Sequence, residues 1–210
     1  MFPPRRIFHR MLLVTVAWAV TASAHGGKFN RVLSVGDPAP AWKDMVGVDG
    51  QRHSLTDCKA KLVVFVFIAN HCPVAAAYES RLKQLAADYR ERDVELIAMS
   101  VSPSKPDGLD KMRERAADAK FSFLYLHDAS QATGRSYGAT TTPQVFVLNA
   151  DRRVCYMGTL DDHWRDAAKV ETSYTRAALD ALLAGKVPEI RETRPVGCEI
   201  EYAAEVPPKP

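Results

Sequence analysis

Lys61-Leu62-Val63-Val64-Phe65-Val66-Phe67-Ile68 runs directly into Ala69-Asn70-His71-Cys72-Pro73. The first half is an unbroken apolar run rich in β-branched and aromatic residues, which predicts a strand buried on both faces in the middle of a sheet. From Pro73 onward the pattern changes. Val74, Tyr78, Leu82, Leu85 and Tyr89 recur at spacings of three and four, one apolar stripe along a helix of about 18 residues. Cys72 therefore stands at a strand-to-helix junction. The first N–H groups of a helix have no partner inside it and carry the positive end of its dipole, so a thiolate there is stabilised. Pro73 suits the first helical position, because it lacks an N–H that would be unpaired anyway.

The elements alternate to either side of that junction. Trp42 to Val48 and Gln51 to Leu55 read as a hairpin turned by Asp49-Gly50. Val94 to Val101 is a second buried strand, Asp107 to Ala119 a helix with Asp107 as its cap, and Phe121 to His127 a shorter strand. Ser130 to Tyr137 is a short helix ending near Gly138. Gln144 to Asn149 and Arg153 to Thr159 form a hairpin, and Val170 to Ala184 a final amphipathic helix stopped by Gly185. Strand–helix alternation builds a parallel core and the late hairpin adds antiparallel strands. The expected class is α/β, with a mixed central sheet and helices on both faces.

The first 24 residues have the pattern of an export signal: Arg5, Arg6 and Arg10, then the apolar core Met11 to Val20, then the small-residue site Ala22-Ser23-Ala24. The apolar stretch is short for a bilayer span, which disfavours the alternative of an uncleaved anchor. Cleavage there leaves a periplasmic or secreted protein with no further membrane segment, a domain over 25–186 and a Pro-rich, charged tail over 187–210 that packs loosely or wraps around it. The net charge of +3 resides in the three leader arginines, so the remainder balances 25 basic against 25 acidic residues. Such neutrality gives no reason to expect nucleic acid or an anionic membrane as a partner.

Three strings carry a family resemblance. Phe67-Ile68-Ala69-Asn70-His71-Cys72-Pro73 with Tyr78, then Thr141-Thr142-Pro143-Gln144-Val145-Phe146-Val147-Leu148, and finally Pro195-Val196-Gly197-Cys198-Glu199-Ile200, together resemble the exported redoxins of the thioredoxin superfamily. These are grouped with the alkyl hydroperoxide reductase and thiol-specific antioxidant proteins. The resemblance implies a thioredoxin-like fold, Cys72 as redox residue, and a cis peptide at Thr142-Pro143 in a loop that faces substrate. His71 and Asn70, which precede the thiol, are expected to face substrate with Thr142 and Pro143.

Departures from the family patterns refine it. Ala75 stands where a dithiol oxidoreductase has its second cysteine, and Ala69 and Phe65 stand where typical peroxiredoxins have a peroxide-positioning hydroxyl and a proline. A lone thiol attacks a disulfide or a peroxide, and a second thiol must resolve the product. Cys198, behind Gly197, is the candidate, and the chain between is long enough to reach. Pairing of Cys198 with Cys58 or Cys155, or a free Cys198, stays open among the four cysteines. Cys58 and Cys155 read as packed rather than catalytic.

The activity implied is an exported thiol-dependent oxidoreductase, peroxiredoxin-like or exchanging thiols with disulfides. It needs a thiol electron donor and a peroxide or disulfide substrate. The alternative is a non-catalytic module whose cis-proline loop holds an extended peptide or partner protein. Neither a metal nor another cofactor is expected: copper-handling relatives pair two nearby cysteines with a histidine, and the six histidines lack zinc-type spacing. His71 also reads as a plain hydrogen-bonding loop residue, and Asp161-Asp162-His163-Trp164 as a solvated turn before the last helix.

Overall fold

The computed structural model describes residues 26–204. The chain forms β1 (Met45–Gly47), β2 (Arg52–His53), β3 (Leu62–Phe67), α1 (Pro73–Tyr89), β4 (Val94–Ser100), α2 (Leu109–Asp118), β5 (Leu124–His127) and α3 (Ala132–Ser136). Then come β6 (Thr141–Thr142), β7 (Gln144–Leu148), β8 (Val154–Gly158), α4 (Tyr174–Leu183) and β9 (Cys198–Glu199). Seven strands make one sheet in the order β2-β1-β5-β4-β3-β7-β8. The β3, β4 and β5 strands are parallel, and β7, β8, β1 and β2 join antiparallel. This is the mixed sheet that the alternation predicted.

The β3 strand lies between β4 and β7, and all six of its residues are buried. Period-two alternation divides them between two layers. Leu62, Val64 and Val66 pack with Tyr78, Leu82 and Leu85 of α1, Met112 of α2 and Leu179 of α4. Val63, Phe65 and Phe67 face the other way, against Trp42, Tyr137 at the end of α3, and Phe146. The Phe65, Phe67, Phe146 and Tyr137 rings meet at 4.9–5.9 Å in tilted and edge-on pairs. Each such fully buried side chain contributes roughly 1.5–3 kcal/mol. With both faces sealed, the strand presents a rigid C-terminal end, and Cys72 follows it.

Several boundaries move from the sequence expectation. Asp107 does not cap α2. It lies in a 3-10 turn, Lys105–Asp107, and Gly108 takes the cap position. The last helix starts at Tyr174 because the Asp162 carboxylate accepts from Glu171 and Thr172 N–H and holds that stretch out of the helix. Asp161 is not in a solvated turn either. It is 4% exposed and accepts from Tyr78 Oη at 2.8 Å and Arg81 Nη1 at 2.6 Å.

The segment 187–204 follows the domain closely. Arg191 and Thr193 bond the backbone of Met157 along the outer edge of β8, and β9 then pairs with β6 in a small separate ribbon. The expected export signal at 1–24 lies outside the described residues. No helix among the described residues is long and apolar enough to cross a membrane.

Candidate active site

Cys72 is the N-cap of α1, with Pro73 at the first helical position. Its Sγ accepts from the Ala75 N–H at 3.4 Å. The residue is fully buried, because the β6 loop covers it. Thr142 and Pro143 are joined by a cis peptide, and the Thr142 carbonyl oxygen lies 2.9 Å from Cys72 Sγ. Both Thr142 and Pro143 are buried.

The tail completes the site. The β9 strand pairs antiparallel with β6 so that Cys198 stands opposite Thr142, and Ile200 N–H donates to the Thr140 carbonyl at 2.9 Å. Cys198 is thereby delivered to Cys72, and the two form a disulfide with Cα atoms 5.9 Å apart across 126 positions of sequence. Gly197 permits the approach, since a Cβ there would collide with the Thr142 carbonyl. Ile200 is buried in the core, Tyr202 Oη donates to the Ala139 carbonyl at 2.8 Å, and Gln131 bonds the backbone of Glu201 and Ala203. Of the pairings open in the sequence, those of Cys198 with Cys58 or Cys155 and a free Cys198 are thus excluded here.

Cys58 and Cys155 are free thiols. Cys58 is buried and donates to Glu95 Oε2 at 2.6 Å. Burial, with the Glu95 carboxylate beside it, pushes its thiol up to about 12. Burial also raises the Cys155 thiol. Neither is set up to ionise near neutral pH.

Asn70 and His71 are tied together by a residue that sequence reasoning assigned elsewhere. Asp107 is completely buried. Its Oδ1 accepts from Asn70 N–H at 2.5 Å and from His71 N–H at 3.4 Å, and its Oδ2 bonds His71 Nδ1. Asn70 adds bonds to the Pro106 carbonyl at 2.9 Å and from Tyr125 Oη at 3.1 Å. The only local hint was an Asp placed beyond the end of β4, where loops of a parallel sheet gather, and the Asp-Gly pair disguised it as a helix start. A cavity of about 150 Å³ opens beside the thiol, with Ala69, His71 and Thr142 on one wall and Glu199, Ile200 and Glu201 of the tail on another. Among the described residues no group of three or more His, Cys, Asp or Glu side chains is gathered to hold a metal ion.

Comparison with known proteins agrees with this geometry. The redoxin family model matches residues 34–174. A relative named thiol-disulfide oxidoreductase ResA, from Geobacillus thermodenitrificans, is 24% identical over 144 residues, covering 69% of this chain and 80% of its own. A conserved protein of Geobacillus kaustophilus, known from its crystal structure, is 30% identical with a TM-score of 0.79, over 84% of this chain and 96% of that one. A hypothetical protein of Sinorhizobium meliloti superposes with a TM-score of 0.77 at 26% identity, over 84% and 98% of the two chains.

Proposed function

The chain belongs to the redoxin family, and on that premise we propose that it is an exported thiol–disulfide oxidoreductase with Cys72 as nucleophile and Cys198 as resolving residue. The observation that carries this reading is the Cys72–Cys198 bridge at the N-terminus of α1, under the cis-proline loop. In the reduced protein the Cys72 thiolate is stabilised by the Ala75 N–H and the helix end. It attacks one sulfur of a substrate disulfide and expels the other as a thiol. Cys198 then displaces the bound half, and the bridge forms. A thiol donor returns the pair to its reduced state, and two electrons have passed from donor to substrate.

Thiol–disulfide exchange is favoured over peroxide reduction because Ala69, buried beside the site, offers no hydroxyl to a peroxide. It is favoured over a non-catalytic binding module because the bridge includes the cysteine at the helix N-terminus under the cis-proline loop, where a thiolate is stabilised. The relatives named thiol-disulfide oxidoreductases point the same way. Export rests on the Arg-rich, apolar and small-residue pattern of 1–24 and suits a protein whose cysteines cycle through a bridge.

Substitution at the two cysteines tests the reading. Cys72→Ser abolishes turnover of a model protein disulfide. Cys198→Ser lets the first attack proceed and traps the substrate on Cys72 as a mixed disulfide visible by mass. Turnover that survives Cys72→Ser, or conversion of Cys72 to a sulfenic acid by peroxide without reaction with any disulfide, contradicts it.

A further inference from the structure

The Asp107–His71 contact joins the turn before α2 to the turn between β3 and α1. One carboxylate oxygen of Asp107 accepts from the backbone N–H groups of Asn70 and His71, and the other is committed to the imidazole. With Nδ1 engaged, Nε2 is the ring nitrogen left over, and it has no hydrogen-bond partner among the described residues. His71 is on the surface, whereas Asp107 is fully enclosed, so the ring is anchored at its inner edge and open at its outer one. It lines the cavity beside the thiol. Thr142, whose carbonyl oxygen lies at Cys72 Sγ, lines the same cavity, and its buried hydroxyl has no partner among the described residues. The charged groups that share this space with the ring are Asp107 from its turn and Glu199 and Glu201 from the tail.

Cys72 is fully buried while bonded to Cys198, and Ala69, His71 and Thr142 around it line the cavity, so a substrate disulfide that takes the place of Cys198 enters from this side. We propose that His71 is the general acid that protonates the departing thiolate, and that Asp107 is its positioning residue; this rests on the thiol–disulfide reading above. In the step, the bond from Cys72 Sγ to the first substrate sulfur forms and the substrate S–S bond breaks. The electron pair leaves on the second sulfur, which takes the proton from His71 Nε2 and departs as a neutral thiol. The imidazole is reprotonated from solvent while Cys198 resolves the mixed disulfide.

Such an acid matters only when the departing sulfur is a strong base. An aliphatic thiolate, with a parent pKa of about 8.5, gains from the proton, while a nitroaryl thiolate is a weak base and leaves unaided. The test uses the reduced full-length chain carrying Cys198→Ser. Formation of the Cys72 mixed disulfide is followed by acid quench and mass spectrometry, with hydroxyethyl disulfide and with a bis(nitroaryl) disulfide as probes. His71→Asn is expected to slow the aliphatic reaction about 100-fold and Asp107→Asn about 10-fold, with the aryl reaction changed less than about twofold in both. Equal slowing of both probes, or no slowing of the aliphatic one, overturns the proposal. Should Asp107→Asn disturb the turn, seen as loss of the Cys72–Cys198 bridge when Cys198 is present, the His71→Asn pair of rates decides alone. A wild-type Cys72 that reacts with neither probe overturns the exchange reading itself, an outcome distinct from loss of the probe dependence.

Discussion

Cys58 and Cys72 flank the same strand, one before β3 and one after it, and both are nearly or fully out of solvent. Cys72 meets a backbone N–H at the positive end of a 17-residue helix. Cys58 meets a carboxylate, Glu95, which opposes its ionisation as burial does. Two buried cysteines thus meet opposite local electrostatics. What differs is the sign of the nearest fixed charge or dipole, which follows from which end of the strand a cysteine occupies. In a parallel strand–helix unit the C-terminal end feeds a helix N-terminus, and that end carries the bridged sulfur.

The largest separation between the two comes from replacing each in turn. Cys72→Ser removes both activity and the bridge, and because that bridge spans 126 positions its loss costs about 2–5 kcal/mol of unfolding free energy, read from urea midpoints. Cys58→Ser leaves exchange unchanged. Its stability cost is smaller, since it loses one hydrogen bond to Glu95 and no covalent link. A Cys58→Ser protein without activity would mean that the two sulfurs are coupled.

Gly197→Val comes next. The added side chain cannot fit against the Thr142 carbonyl, so β9 leaves β6 and Cys198 no longer reaches Cys72. Thiol titration in denaturant then rises from the two free thiols, Cys58 and Cys155, to all four cysteines. Persistence of two would show that the tail reaches the site by another path.

The remaining effect is on the Cys58 side and concerns pH. Its thiol ionises in the unfolded chain near 9.0 but in the fold only at about 12. Between those values the folded state holds a proton that the unfolded one has released. Stability therefore declines as pH rises from 9.0 to about 12. Glu95→Gln removes a cause of the rise while burial remains, so it narrows that window and speeds alkylation of Cys58 at pH 9.0. An alkylation rate that does not change would assign the whole shift to burial.

The strand, the helix and the placement of Cys72 were legible in the sequence because each is encoded within twenty consecutive residues. An apolar run and a 3–4 periodicity need no partner to be read. The cis Thr142–Pro143 peptide was reachable only through family resemblance. The tail ribbon was not legible, since β6 and β9 are two residues each and two residues carry no period. Cys198 could be named as a candidate, but which sulfur it joins is decided by Gly197 against Thr142 and by Ile200 entering the core, contacts across more than 50 residues. Asp107 and Asp161 were misread for the same reason. Local rules assign an Asp before Gly to a helix cap and a run of acids to a solvated turn. Each is instead buried and bonded to groups far along the chain, Asn70 and His71 for one, Tyr78 and Arg81 for the other.

Peptide mapping of the reduced wild-type chain after oxidation by one equivalent of a substrate disulfide tests the central contrast most directly. The expected product is a single cross-linked peptide pair joining Cys72 to Cys198, with Cys58 and Cys155 still free. A cross-link containing Cys58, or substrate consumed while Cys72 stays a thiol, would contradict the assignment of the chemistry to the helix end of β3.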